Sequence, residues 1–177
     1  MQTRKAELRD ANAIYRLINS FSQDGTLLRR SYQEICENIR TFTIVETDSH
    51  EFIGCAALHV YGPHLAEVRS IVVRPEIKGS GAGGLLLRSL LEQAEEFGIQ
   101  CVCLFTRIPA FFEHFRFRVT KHEELPDKIL KDCLHCARRG NCDETAMAIG
   151  ELPVAYGPTL GDFMPSISSG DLVQLHV

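Results

Sequence analysis

A chain of 177 residues, 45% hydrophobic and 24% charged, has the length and composition of one globular domain with a full core, without room for a second catalytic domain. Its formal net charge of −4 and isoelectric point near 6.0 give no general reason to expect a nucleic acid or an anionic membrane as partner. The first residues lack the apolar segment of a signal peptide, and no stretch approaches the roughly 18 apolar residues that span a bilayer, so we expect a cytoplasmic protein.

The hydrophobic pattern predicts strands and helices that alternate along the chain. The first half of the chain is predicted to contain a strand over 2–7, a helix with Asp10 as N-cap, and a helix from Tyr32 to about Arg40 with Ser31 as N-cap and Glu34 at the capping-box position. A hairpin of strands 41–46 and 52–60 and a strand over 67–73 follow. The second half is predicted to contain a helix over 83–97, a strand over 102–106, a helix opened by Pro109, and strands over 117–119 and 145–152. This order predicts an α/β (α+β) fold in which helices flank a central mixed, mostly antiparallel sheet.

We expect residues 1–152 to form the domain and 153–177 to form a tail. The tail shows no periodicity, although its last residues could add an edge strand or exchange with a second copy of the chain. A homodimer is therefore left open.

The predicted strand over 67–73 leads into a glycine-rich turn and then into a helix. Gly79, Gly81, Gly83 and Gly84 permit positive φ and place no Cβ in the way of a ligand, so successive amides can converge on one oxyanion. The following helix adds the positive end of its dipole. A P-loop is excluded because a leucine follows the last glycine, and a dinucleotide fingerprint is weak because no βαβ unit precedes the turn. We predict a phosphate-binding loop.

The segment Lys78-Gly-Ser-Gly81-Ala-Gly83 resembles the acetyl-CoA loop of the GCN5-related N-acetyltransferases (GNAT), whose pattern is Arg or Gln, two residues, Gly, one residue, and Gly or Ala. Lysine replaces the first residue, which keeps the charge but not the fork of an arginine. In that family the loop binds the pyrophosphate of coenzyme A, so the resemblance implies acetyl-CoA as co-substrate and the family's fold. The implied contacts are Ile71, Val72, Val73, Lys78, Gly79, Ser80, Gly81, Ala82 and Gly83.

Three further stretches between residues 3 and 150 resemble the acetyltransferase domain of bacterial N-acetylglutamate synthases. They are Gly25-Thr-Leu-Leu-Arg-Arg-Ser31, Cys55-Ala-Ala-Leu58 with Glu67 downstream, and Leu104-Phe-Thr-Arg107 followed by Phe111-Phe112-Glu113. The resemblance implies an N-acetyltransferase that acts on a small-molecule amino acid, L-glutamate, by direct transfer. The arginine-sensing domain of the larger members does not fit in this chain.

Glutamate brings two carboxylates and an ammonium group that must lose a proton before it attacks a thioester. Glu67 matches the position of the family's general base, although an ion pair with a nearby arginine is the other interpretation. Arginine is suited to hold carboxylates in a fixed fork. The predicted substrate-binding residues are Arg29, Arg30, Arg69, Thr106 and Arg107, and solvated side chains are the alternative for the first two.

The resemblance also implies an oxyanion donor and a proton donor. In the family a backbone N–H on the strand before the loop stabilises the thioester oxyanion, which corresponds to Ile71 or Val72 here. Many members protonate the departing thiolate with a tyrosine where this chain has Phe112, which leaves Thr106, Tyr61 or a water. The family commonly has glycine at Arg116, so the geometry of that turn is an open question.

The chain contains seven cysteines, an odd number that argues against a disulfide framework. Three of them, Cys133, Cys136 and Cys142, lie in an insert over about 125–143 that has only the first half of a zinc knuckle. We expect reduced thiols. A metal site completed by His122 or His135, or a redox switch, is the alternative.

Two rival functions keep the predicted fold. The acceptor could be another amine, such as glutamine, a polyamine or a protein N-terminus, but a cationic acceptor would favour an acidic pocket. The chain could also be a CoA-binding sensor without catalysis, which Lys78, Phe112 and Arg116 motivate.

Overall fold

A computed structural model describes residues 1–22, 27–136 and 139–153. The strands are β1 (Gln2–Lys5), β2 (Phe42–Glu46), β3 (Phe52–Gly62), β4 (Leu65–Val73), β5 (Cys101–Thr106), β6 (Arg118–Val119) and β7 (Thr145–Gly150). The helices are α1 (Ala11–Ser20), α2 (Tyr32–Glu37), α3 (Ala82–Glu96), α4 (Pro109–Glu113) and α5 (Pro126–Lys131). This order confirms the predicted alternation. The predicted tail lies outside the described residues from position 154 onward.

Two predictions about the first helices need correction. Ser31 caps α2 as predicted, since its side chain accepts the Glu34 N–H, but α2 ends at Glu37 and a 3₁₀ turn follows. Asp10 occupies the N-cap position of α1 without making a side-chain cap. Its carboxylate instead accepts the Glu7 N–H at 2.8 Å and binds Arg4, because a buried carboxylate is stabilised more by a cation than by an amide alone.

The seven strands form one sheet in the order β1-β2-β3-β4-β5-β7-β6. Neighbouring strands are antiparallel except β4 and β5, which run parallel, so the sheet is mixed and mostly antiparallel as predicted. The parallel ladder contains only the pairs Ala66–Val102 and Glu67–Cys103. Beyond Glu67 the two strands no longer pair, and a gap opens between them.

Helices cover both faces of the sheet. On one face α3 contributes Leu86 and Leu90, both fully buried in the main hydrophobic core. On the other face Ile14 of α1 and Ile35 of α2 pack over the first strands. Leu125, at the start of α5, is fully buried over the second half of that face. On that face the gap between β4 and β5 therefore lies with α1 and α2 to one side of it and α5 to the other.

A bulge interrupts β4 where it leaves β5. The register with β3 steps from Ala57–Arg69 to Cys55–Val72, so two residues of β4 oppose one residue of β3. Ser70 in the bulge has a φ of 52°. Such bulges bend a strand and disrupt its hydrogen-bond ladder locally. The bend coincides with the stretch of β4 that borders the gap.

The turn after α4 forms with an arginine in place of the family's glycine. Arg116 has a φ of 68°, and Phe117 N–H donates to Phe112 O at 3.3 Å. A non-glycine residue in this left-handed region is uncommon. The turn geometry is thus retained, and Phe112 is a core residue, 2% exposed.

Candidate functional site

The glycine-rich turn has the backbone that the sequence predicts. Gly79 and Gly81 have φ values of 86° and 89°, in the region that favours glycine. A Cβ at either position would meet no heavy atom within 4 Å. Backbone conformation, and not crowding, therefore requires glycine here, and the space beside the turn is open to a ligand.

The first amides of α3 are available beside this turn. Gly81 is the N-cap of the 15-residue helix. Among the described residues, Leu85 carries the first amide of α3 with a backbone acceptor, Gly81 O at 3.0 Å. The amides before it, including those of Gly83 and Gly84, lie at the positive end of the helix dipole. Together with the exposed Lys78 they fit an anionic group such as the pyrophosphate of coenzyme A.

The predicted cofactor contacts fall on one continuous stretch. Ile71 lies in the bulge of β4, and Val72 and Val73 follow it on the same strand. The turn and the start of α3 consist of Lys78, Gly79, Ser80, Gly81, Ala82 and Gly83. Contact of these residues with a ligand stays a prediction.

Glu67 is the centre of a buried hydrogen-bond network. It lies on β4 at the mouth of the gap and is 3% exposed. Its Oε1 lies 2.7 Å from Lys128 Nζ, while its Oε2 accepts Arg69 Nε–H at 2.5 Å and the Tyr61 hydroxyl at 2.8 Å. A carboxylate has about four lone-pair sites. Three donors therefore leave space for about one more, such as a water or an amine.

A second carboxylate shares the same cations. Asp132 Oδ2 accepts from Arg69 Nη2 and, at 3.0 Å, from Lys128 Nζ. The Tyr61 hydroxyl accepts from Arg69 Nη2 at 2.6 Å and lies 3.4 Å from Asp132 Oδ2. Two carboxylates and two cations balance one another, which is how buried charges are tolerated. We call these residues, with Glu67, the Glu67 network.

The pKa shifts follow from burial and from these partners. Burial, reinforced by the Glu67 charge, raises the pKa of Tyr61, which stays a hydroxyl donor. Burial disfavours the charge of Lys128 and of Asp132, but the Glu67 carboxylate outweighs it and raises the pKa of Lys128, and the hydrogen bond from Lys128 lowers the pKa of Asp132. Burial lowers the pKa of His59 to about 4, so its ring is neutral at pH 7.

Cavities border the network, and arginines predicted to bind substrate line two of them. The inter-helix cavity, about 250 Å³, is lined by Arg30, Glu34, Ile35, Asn38, Thr41, Phe42, Ala57, His59, Arg69, Ser70, Lys131 and Asp132. The gap cavity, about 180 Å³, lies between β4 and β5, and the charged side chains around it are Arg30, Arg69, Arg107, Lys128, Glu67 and Glu144. Cations outnumber carboxylates in both linings. An anionic molecule is therefore favoured over a cationic one.

Arg30 and Arg69 line both cavities, as a substrate-binding role requires. Arg30 Nη1 pairs with Glu34, and the side chain of Asn19 holds the backbone of Arg30 on both sides, with its Nδ2 2.9 Å from Arg30 O. Asn19 was not predicted, because an asparagine within an amphipathic helix usually only faces solvent.

The other predicted substrate residues are distributed unequally. Thr106 and Arg107 line the gap cavity, where Thr106 Oγ1 accepts the Ile108 N–H at 3.0 Å. The Arg107 guanidinium donates to both carboxylate oxygens of Asp143, from Nε at 2.8 Å and from Nη2 at 2.9 Å. Arg29 is exposed and does not line the gap cavity. The fold thus brings four of the five arginine and threonine candidates to Glu67 and leaves Arg29 aside.

Sequence reasoning missed Lys128 and Asp132, which come from the cysteine-containing insert. Their only sequence signal is the i, i+4 spacing of a lysine and an aspartate, which usually marks a solvated helix face. Lys128 is instead 7% exposed. Tyr61 was considered only as an acid, whereas its hydroxyl donates to Glu67.

The insert's thiols do not form a metal centre in the part of the chain that the structure describes. Cys133, Cys136 and Cys142 line a further cavity of about 310 Å³ together with His122. No group of three or more His, Cys, Asp or Glu side chains is assembled to hold an ion among the described residues. The side chain of His135 lies outside them.

Comparison with known proteins gives consistent matches. Residues 9–115 match the sequence model of the acetyltransferase (GNAT) family. An uncharacterized N-acetyltransferase of Chlorobaculum tepidum is 36% identical over 144 residues, which are 81% of this chain and 92% of that protein. The amino-acid acetyltransferase of Pasteurella multocida is 32% identical over 127 residues, 71% of this chain but only 29% of the enzyme.

Solved structures agree in fold. N-acetylglutamate synthase from Neisseria gonorrhoeae, complexed with coenzyme A and N-acetyl-glutamate, superposes with a TM-score of 0.76 at 26% identity, over 84% of this chain and 34% of that one. A Mycobacterium tuberculosis protein in complex with CoA and NLQ gives 0.74 at 24% identity, over 86% and 100%. This chain spans about a third of the gonococcal synthase. The predicted fold is confirmed, and the expected acetyl-CoA agrees with both neighbours.

None of the helices in the described ranges has both the length and the apolar character that crossing a bilayer requires.

Proposed function

This chain belongs to the acetyltransferase (GNAT) family, and from that membership we propose that it transfers the acetyl group of acetyl-CoA to the α-amine of an amino acid, with L-glutamate as preferred acceptor. The gap cavity carries the proposal, because a buried carboxylate with one open site and an excess of cations meet there, on the strand that leads into the glycine-rich turn. The relatives named amino-acid acetyltransferase and N-acetylglutamate synthase support the choice of acceptor.

Acetyl-CoA, when bound, supplies a thioester carbonyl that a free amine can attack. The Ser80 N–H already donates to Ile77 O at 3.1 Å, and the amides of Gly79, Gly81 and Gly83 would hold the pyrophosphate of acetyl-CoA. Beyond Glu67, β4 has no ladder partner on β5, so amides on that edge are free to meet a ligand. The N–H of Ile71 or Val72 would donate to the carbonyl oxygen as negative charge develops on it.

The incoming amine arrives as an ammonium group and loses two protons in the reaction. The first leaves before the amine attacks and passes to solvent, and the second leaves after the attack and passes to the departing thiolate. Glu67 would accept the first proton, directly or through one water at its open site. Tyr61 is committed to Glu67 and is not free to protonate the thiolate. The Thr106 hydroxyl, which accepts from Ile108 and so has its own proton to donate, or a water would relay the second amine proton to the thiolate, giving one proton and receiving one.

Arg30 and Arg69 would hold the acceptor's carboxylates. Each already binds side chains through part of its guanidinium. Arg30 binds Glu34 through Nη1. Arg69 binds Glu67 through Nε, and Tyr61 and Asp132 through Nη2. The remaining N–H groups of these two forks have no acceptor among the described residues and belong to side chains that line both cavities. A guanidinium can bind two carboxylates at once because it has five N–H donors.

The first test measures thiol release from acetyl-CoA with each of the twenty amino acids and with spermidine. We expect the highest kcat/KM for glutamate, with glutamine at least about tenfold lower because its side-chain amide carries no negative charge to pair with an arginine. Preference for glutamine or spermidine would keep acetyl transfer and overturn the glutamate assignment. Acetyl-CoA binding by calorimetry without any turnover would instead support the CoA-binding sensor.

A substrate-binding variant sharpens this test. Arg30→Met should raise the KM for glutamate about tenfold or more and leave the KM for acetyl-CoA unchanged. Arg29→Met is the matched control, and its effect should be smaller because Arg29 does not line the gap cavity. Equal effects of the two variants would argue against Arg30 as the carboxylate-binding residue.

A further inference from the structure

We propose that Lys128 and Asp132 of the insert are positioning residues for Glu67. They hold its carboxylate at the gap cavity and set, in opposite directions, the pH range in which it can accept a proton. The proposal rests on the proposed function of Glu67 as general base. It makes α5 and the residue that follows it part of the active site.

The contacts of Lys128 carry the first step. Its side chain is 9% exposed, and its ammonium lies 2.7 Å from Glu67 Oε1 and 3.0 Å from Asp132 Oδ2. The ammonium also lies 5.4 Å from the centre of the Phe105 ring. A buried ammonium needs paired acceptors. Lys128 therefore has one stable position, and that position fixes one oxygen of Glu67.

The attachment of α5 to the sheet carries the second step. Leu125 is fully buried on the same face of the sheet as Cys103, the register partner of Glu67. Ile129 N–H donates to Leu125 O at 3.2 Å, and Asp132 N–H donates to Lys128 O at 3.0 Å. The helical turn thus starts from a buried anchor and presents Lys128 and Asp132, four residues apart, on one side.

Electrostatics carries the third step. The titratable and charged groups that face Glu67 are His59 and Tyr61 from β3, Arg69 from β4, Cys103 from β5, and Lys128 and Asp132 from α5 and its end. Loss of Lys128 removes a cation in direct contact, so protonation of the carboxylate becomes easier. Loss of the Asp132 charge leaves Lys128 and Arg69 to act on Glu67 alone, so protonation becomes harder.

The experiment compares Lys128→Met and Asp132→Asn in the full chain, each with the pH profile of kcat. We expect the acidic limb of the profile to move up by about one to two pH units in Lys128→Met and down by a smaller amount in Asp132→Asn. The KM for acetyl-CoA should not change. Asp127→Asn is the control, because Asp127 lies on the same helix but pairs with His64 at 3.1 Å. The acidic limb of the kcat profile of Asp127→Asn should not move.

A second readout does not depend on turnover. The titration of the Glu67 carboxyl carbon, followed by NMR with ¹³C-labelled glutamate and assigned with Glu67→Gln, should shift in the same two directions. Opposite shifts without turnover in the wild type would support the positioning role and overturn the proposed function. Turnover in the wild type with both limbs unmoved would overturn the positioning role alone.

The proposal can be tested even if one of the variants does not fold. If Lys128→Met fails to fold, Asp132→Asn decides, because the Asp132 side chain is 29% exposed and tolerates the amide. A downward shift in that variant supports the proposal. An unchanged or upward shift overturns it.

Discussion

Two buried glutamates on neighbouring parts of the sheet have nearly the same surroundings. Glu46 on β2 is 2% exposed and Glu67 on β4 is 3% exposed. An arginine binds each of them through Nε, Arg4 at 3.0 Å from Glu46 and Arg69 at 2.5 Å from Glu67. Burial and ion pairing by themselves therefore do not distinguish a candidate catalytic carboxylate from a structural one.

The similarity extends to a third partner. Arg4 also holds Asp10, at 2.7 Å, as Arg69 holds Asp132. The difference lies in access, because Glu46 lines none of the cavities described above, whereas Glu67 borders the gap cavity. We call Glu46, Arg4 and Asp10 the Glu46 cluster. This cluster ties β1 to β2, whereas the Glu67 network faces a cavity in which we propose that the substrate binds. A catalytic assignment should rest on that access.

The largest expected difference is in turnover. Glu67→Gln should lower kcat about 100-fold to 10,000-fold, because an amide cannot accept the amine's proton. Glu46→Gln should leave kcat within about twofold. Steady-state thiol release measures both, with circular dichroism as a check on folding. If Glu67→Gln kept more than a third of the wild-type kcat, the general-base role would fail.

Removal of the arginines should lower stability in both clusters and activity in only one. Arg4→Met and Arg69→Met each remove an arginine that two carboxylates share, so the Tm should fall by several degrees in both. Only Arg69→Met should also reduce kcat/KM, by roughly tenfold or more, since its guanidinium borders both cavities. Loss of activity in folded Arg4→Met would remove the distinction between the clusters.

The parts that sequence could predict are the parts encoded locally. The glycine-rich turn depends on residues close together in the sequence, Gly79 and Gly81, and glycine readily adopts the positive φ values that both of them have. Glu67 could be named from its place before that turn and from a family resemblance. The element order follows from hydrophobic periodicity in the same way.

The ion pair of Glu67 with a nearby arginine, Arg69, was among the predicted interpretations, but the partners of Glu67 on other elements of the fold could not be predicted. Tyr61 lies on β3 and Lys128 on α5, and only the pairing of β3 with β4 and the burial of Leu125 bring them to one carboxylate. The prediction that the Asp10 side chain caps α1 is wrong for the same reason, since Arg4 on β1 binds that side chain instead. Long-range ion pairs between such segments leave no local pattern.

The Glu46 cluster should control stability in acid. Hydrogen bonds from His50, Gln2 and Arg4 lower the pKa of Glu46 to about 2 from an ordinary value of 4.5. The folded state therefore holds fewer protons than the unfolded state between these values, so the stabilisation is complete above about pH 4.5 and is lost as pH falls toward 2. Thermal unfolding of the wild type should show a Tm that falls over this range. Glu46→Gln should flatten that fall, and an equally steep fall would contradict the assignment.

The smallest effect should come from His50, which touches Glu46 from the turn between β2 and β3. Its Nδ1 lies 2.7 Å from Glu46 Oε1, and its φ of 62° is in the left-handed region that asparagine tolerates. His50→Asn therefore keeps the turn and removes one contact with the carboxylate. The acid fall in Tm should be smaller and should end at a slightly higher pH, because the pKa of Glu46 in the folded state is then less depressed, with kcat at pH 7 unchanged. A change in kcat of more than about twofold would mean that the two clusters are coupled across β3, and the separation between structural and catalytic carboxylate would no longer hold.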